Sequence, residues 1–140
     1  MPTRSAHAQW KGTLKEGKGR LELESGAFEG PYSFGSRFGD GKDTNPEELL
    51  GAAHAGCFAM ALSMTLGEAG YTADSLDVKA KVKIEQVDGG FAVTSIVLHL
   101  DASIPEIDEA TFNDLANSAF ESCPISNALS VEKSLQATLK

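Results

Sequence analysis

Five side chains in this sequence have chemistry beyond packing: the thiols Cys57 and Cys123, the imidazole His54, the cation Arg37 and the carboxylate Glu47. A thiol reacts as its thiolate, so its neighbours decide what it can do. Cys57 lies in a long uncharged run with His54 three residues earlier, on roughly the same face if the run is helical. Burial alone would leave it an inert small hydrophobe. Cys123 precedes Pro124. With proline at a first helical position, Cys123 becomes an N-cap, where unpaired N–H groups favour the thiolate. On local electrostatics alone Cys123 is the more acidic thiol. Two cysteines are too few for a secreted disulfide framework, and in a reducing compartment such a pair means redox chemistry, a metal, or nothing. One histidine with two cysteines falls short of a tetrahedral metal site, so no metal is expected. His54 is read as hydrogen-bonded packing in a helix core, and Arg37 and Glu47 are merely solvated charges unless geometry brings them to a thiol.

The element that must position these groups runs from Asn45 to Gly70. Asn45 can cap a helix, Pro46 fits its first position, Glu47 and Glu48 complement its positive end, and Gly70 supplies a left-handed stop. Nothing between Glu48 and Glu68 is charged, which predicts a helix apolar all round its middle and therefore buried. A membrane span is rejected because the run is mostly Ala, Gly, Ser, Thr and His and lacks cationic flanks.

Ten residues separate Glu47 from Cys57, which on one helix means ~15 Å along the axis and about 80° around it. They cannot touch within one chain. Two copies of the helix crossing antiparallel about a two-fold axis near Ala52 would bring Glu47 of one towards Cys57 of the other. Gly51, Ala52, Ala53, Ala55 and Gly56 would let the backbones approach closely. A homodimer with two composite sites is expected on this ground.

Elsewhere the periodicity predicts an N-terminal hairpin from His7–Leu14 and Arg20–Glu24, then a short strand over 33–38. Ser75–Glu85 alternates strictly, with Leu76, Val78, Ala80, Val82 and Ile84 on one face, and Asp88-Gly89-Gly90 turns it into a partner strand over 91–100. Ile107–Ser122 reads as an amphipathic helix with Ile107, Ala110, Phe112, Leu115 and Ala119 inward. Pro124 starts a short new helix, and Val131–Leu139 closes as a strand. The expected class is α+β, with antiparallel sheets around a long central buried helix, in a single domain over 1–140.

A net charge of -8 argues against nucleic acid and anionic membrane as partners, and the start of the sequence shows no apolar run of the secretory kind. The cytoplasm is the expected compartment.

The segment Arg37–Leu62, with Asn45-Pro46-Glu47-Glu48-Leu49 leading into Gly51-Ala52-Ala53-His54-Ala55-Gly56-Cys57-Phe58, resembles the OsmC/Ohr family of osmotically inducible and organic hydroperoxide resistance proteins. Cys123-Pro124 with Ser126, the Asp88-Gly89-Gly90-Phe91 hairpin and Trp10-Lys11-Gly12 extend the likeness over nearly the whole chain. His54 fits the OsmC branch, since an aromatic is usual there in the Ohr branch. The resemblance implies an intertwined homodimer acting as a thiol peroxidase on organic hydroperoxides, and less well on hydrogen peroxide, in oxidative and osmotic stress defence, with no metal or haem. It also implies the roles: Cys57 the peroxidatic thiolate, Cys123 the resolving thiol, Arg37 the activating cation and Glu47 the carboxylate that orients it. That ordering of the thiols reverses the electrostatic one. The implied reductant is an external dithiol, lipoyl-type. Two other classes compete: a catalytically silent dimeric binding module, and a thioester hydrolase with His54 as base to Cys57, which lacks an orienting third group.

Overall fold

The computed structural model describes residues 1–140 and divides into two compact units, Met1–Leu49 and Leu50–Lys140. In the first unit, β1 (Ala6–Lys11), β2 (Lys18–Leu23) and β3 (Glu29–Tyr32) form an antiparallel sheet in that order. Trp10 and Tyr32 face each other across β2 with ring centroids 5.4 Å apart. A Cβ at the intervening Gly19 would collide with both rings, so the strand needs glycine at that point.

The expected strand over 33–38 is instead the helix α1 (Phe34–Phe38). Ser33 Oγ accepts from the Ser36 N–H at 3.1 Å, and Ser36 Oγ accepts from the Ser33 N–H at 2.9 Å. This reciprocal cap nucleates a helical turn through polar bonds that apolar periodicity cannot register.

The long helix forms as expected. α2 spans Pro46–Glu68, Asn45 Oδ1 accepts from the Glu48 N–H at 2.7 Å, and Gly70 takes φ 89°. Burial all round does not hold within one chain. Gly51, His54, Phe58, Leu62 and Leu66 are buried along one stripe, whereas Met60 and Met64 on another side are 77% and 62% exposed. By length and hydropathy alone α2 is apolar enough to cross a membrane. The stripe of a single helix face matches packing on a sheet better, and a Cβ at Gly51 would already touch Val82 and Ala80.

In the second unit β4 (Ser75–Val87) and β5 (Gly90–Ser103) form the predicted antiparallel hairpin, with Leu76, Val78, Ala80, Val82 and Ile84 half-buried and their neighbours exposed. β6 (Glu132–Leu139) adds to β5 in parallel, so this sheet is mixed rather than wholly antiparallel. The crossover through α3 (Glu109–Ser122) and α4 (Pro124–Ala128) is long enough for a parallel return. α3 is capped by Asp108, and it buries Phe112, Ala116 and Ala119; Ala110 is exposed and Ile107 precedes the helix. Phe58, Leu62, Leu66, Ile96, Leu98, Leu100 and Phe112 form the centre of one apolar core.

Candidate functional site

In the first unit a clasp fixes Arg37. Ser36 Oγ donates to the Thr44 carbonyl at 2.8 Å, and Asn45 Nδ2 donates to the Ser36 carbonyl at 3.1 Å. The turn of α1 is thereby tied to the start of α2. A Cβ at Gly41 would lie 2.8 Å from the Ser36 nitrogen, so the loop can lie this close to α1 only with glycine there. Arg37, on the last turn of α1, donates from Nη2 to Glu47 Oε1 at 2.7 Å and from Nε to both carboxylate oxygens at 3.1 and 3.2 Å. The Glu47 side chain is 10% exposed and that of Arg37 37%, so the carboxylate is the buried anchor and the guanidinium keeps an open side. Glu48 instead accepts from the Thr44 hydroxyl at 2.8 Å. The guanidinium also lies 5.2 Å from the Phe38 ring centroid. Trp10, Leu14, Tyr32, Phe34 and Phe38 line a cleft of about 230 Å³, and Arg37 is the charged group on its wall.

In the second unit Cys57 on α2 and Cys123 at the α3–α4 junction meet with their sulfurs 3.0 Å apart, both as free thiols. Cys57 is half-buried and Cys123 fully buried. Phe120 sets this approach, stacking on His54 at 6.2 Å and meeting Phe58 edge-on at 6.1 Å, so the last turn of α3 is wedged against the middle of α2. Cys123 is the N-cap of α4, as expected, yet its electrostatic ranking does not survive burial. Burial pushes the Cys123 thiol up, and the hydrogen bond to Cys57 and any charge there push it the same way. The Ser126 and Ile125 amides only partly oppose this. Cys123 is therefore held as the protonated S–H that donates to Cys57.

His54 does not make the hydrogen bonds expected of a core imidazole. It is fully buried, and neither ring nitrogen has a partner. Burial first, and the Lys133 ammonium second, push its pKa down, so the ring is neutral. A general base to Cys57 would need a hydrogen bond to the thiol, and His54 makes none. No group of three or more His, Cys, Asp or Glu side chains converges as a metal ion would require.

Sequence reasoning missed the Ser33/Ser36 cap and Lys133. The first had a weak signal, a serine pair at capping-box spacing. The second had a clear one: Lys133 shares the covered face of β6 with Leu135, Ala137 and Leu139, where alternation calls for an apolar residue.

Residues 39–138 match the model of the OsmC-like protein family. The chain is 47% identical over 138 residues to the peroxiredoxin OsmC of Escherichia coli, covering 98% of this chain and 96% of that one. An OsmC-like protein of Vibrio cholerae superposes with a TM-score of 0.78 at 19% identity, covering 99% of this chain and all of that one, a likeness of fold. The organic hydroperoxide resistance protein OhrB of Bacillus subtilis superposes with a TM-score of 0.69 at 25% identity, covering 97% of this chain and 98% of that one.

Proposed function

The chain belongs to the OsmC-like protein family, and from that premise we propose that it is a cysteine-based peroxidase that reduces organic hydroperoxides to alcohols. The observation that carries the reading is the pair of free sulfurs 3.0 Å apart, one half-buried and one fully buried. The Cys57 thiolate attacks the terminal oxygen of ROOH. The O–O bond breaks, the leaving alkoxide takes a proton to become the alcohol, and Cys57 is left as a sulfenic acid. The Cys123 sulfur then attacks the Cys57 sulfur, and its proton leaves with the hydroxyl as water as the disulfide forms. An external dithiol, lipoyl-type, restores both thiols, so the sulfurs themselves pass the two electrons and no prosthetic group is needed.

Arg37 serves in this reading as the cation that favours the thiolate and hydrogen-bonds the peroxide oxygens as charge develops, each pKa unit of lowering being worth about 1.4 kcal/mol. Glu47 orients it, a role favoured by the bonds from both Nε and Nη2 and by the burial of the carboxylate. The apolar cleft beside Arg37 favours a substrate with a hydrocarbon body over hydrogen peroxide, in keeping with the name of the B. subtilis relative. The working form is a single-domain, intertwined homodimer in the cytoplasm. The exposed Met60 and Met64 and the small residues Ala52, Ala53 and Gly56 supply the face that a second copy of α2 would cover.

The test is turnover of cumene hydroperoxide with dihydrolipoamide as reductant. Cys57→Ser abolishes it, while Cys123→Ser permits roughly one turnover before the sulfenic acid stalls. Equal retained activity in the two variants would refute the assignment.

A further inference from the structure

Cys123 is held between two helices. Its N–H donates to the Ala119 carbonyl at 3.0 Å at the end of α3, and its carbonyl accepts from the Asn127 N–H at 3.0 Å inside α4. α3 has fourteen residues and a capped start, but α4 has only five, far below the length at which a helix holds itself. Ile125 of α4 packs on the core and Ser126 is buried, and a polar tie is added beyond the far end of the helix. Lys133 Nζ donates to the carbonyl of Leu129, the C-cap of α4, at 2.5 Å and to the carbonyl of Val131 at 3.2 Å. Lys133 itself is fixed by β6, where it pairs with Ile96 of β5. An ammonium here replaces the apolar side chain that the covered face of β6 otherwise carries, and it bonds carbonyls rather than a carboxylate.

We propose that Lys133 is a positioning residue for disulfide formation: by tying the end of α4 to β6, it keeps the Cys123 sulfur against that of Cys57. The tether is a pair of charge-assisted bonds in a half-buried setting, stronger than neutral ones. The neutral His54 nearby makes no competing bond to the ammonium. Only in naming Cys123 the resolving thiol does this inference rest on the peroxidase reading. The placement of the two sulfurs can be measured without any peroxide.

The experiment equilibrates the purified protein with mixtures of reduced and oxidised dithiothreitol and measures the fraction of Cys57–Cys123 disulfide by mass spectrometry after acid quench. Two electrons and two protons pass from the thiols to the oxidised dithiothreitol as the protein disulfide forms. Lys133→Met, which keeps the stem without the charge, lowers the equilibrium constant for the protein disulfide about tenfold, equivalent to about 30 mV. Lys133→Ala does the same, and Lys133→Arg restores it to within about threefold because a guanidinium can still donate to both carbonyls. Far-UV circular dichroism identifies the folded variants, and Met serves where Ala does not fold. Constants for the Met and Ala variants within twofold of wild type, or a loss that Arg does not repair, overturn the proposal. A protein that equilibrates as described yet consumes no cumene hydroperoxide would sink the peroxidase reading and leave this one standing.

Discussion

The Cys123 thiol donates to the Cys57 sulfur at 3.0 Å from a fully buried position, so the acceptor sulfur is the more accessible of the two. Local electrostatics alone makes Cys123 the more acidic thiol, and burial works against that ordering. A helix N-cap lowers a thiol pKa, but Cys123 caps only the five-residue α4, and its burial works against the amides that stabilise a thiolate. In the proposed reading the protonated donor is the resolving thiol, and the less buried sulfur it faces is the one that meets the peroxide.

The Arg37–Glu47 pair yields a graded prediction. Arg37→Met lowers kcat/KM for cumene hydroperoxide by about 10²–10³, the usual cost of losing one preorganised donor to developing negative charge. Glu47→Gln lowers it by about ten- to hundredfold through misplacement of the guanidinium. Glu48→Gln leaves it unchanged, since Glu48 bonds Thr44 rather than Arg37. Steady-state kinetics on the three variants checks the ordering.

His54 sets an acid limit on stability. Its folded-state pKa is lowered by burial and by Lys133, so below the unfolded value of about 6.5 the unfolded chain binds the proton that the folded one refuses. Stability is full above that pH and falls as the pH drops towards the folded pKa. His54→Phe flattens this acid-side loss and leaves no buried ring nitrogen unpaired. Urea unfolding of both proteins between pH 5 and 7 measures the difference in slope.

The uncovered face of α2 predicts the oligomeric state. Met60→Asp and Met64→Asp place charges on a side that is exposed in one chain and covered in the expected dimer. Both shift the protein towards monomer in analytical ultracentrifugation, whereas Glu132→Gln, on an exposed strand position outside that face, does not.

Phe112 tests the core. It is fully buried in the cluster with Leu62, Leu66 and Leu98. Phe112→Ala costs about 3–5 kcal/mol of unfolding free energy with an unchanged urea slope, the expectation for a cavity left in a packed interior.

The elements that were legible from the residues are those with strong periodicity or punctuation. The alternation of Ser75–Glu85 found β4, and Asn45, Pro46 and Gly70 bounded α2. α1 was hidden because its turn is set by two serine hydroxyls, and the parallel pairing of β6 because strand direction leaves no trace in a short alternating segment. Burial of α2 all round does not follow from its composition, since an uncharged run does not distinguish cover by the same chain from cover by a second copy. The thiols could be found but not ranked, because the ranking depends on which one the fold encloses.

The most direct measurement is the intact mass of the reduced protein after one equivalent of cumene hydroperoxide. Wild type loses two hydrogens as the Cys57–Cys123 disulfide forms, and Cys123→Ser gains one oxygen that dimedone captures at Cys57. A wild-type mass that stays unchanged, or an oxygen that adds to Cys57→Ser at the wild-type rate, would contradict the account.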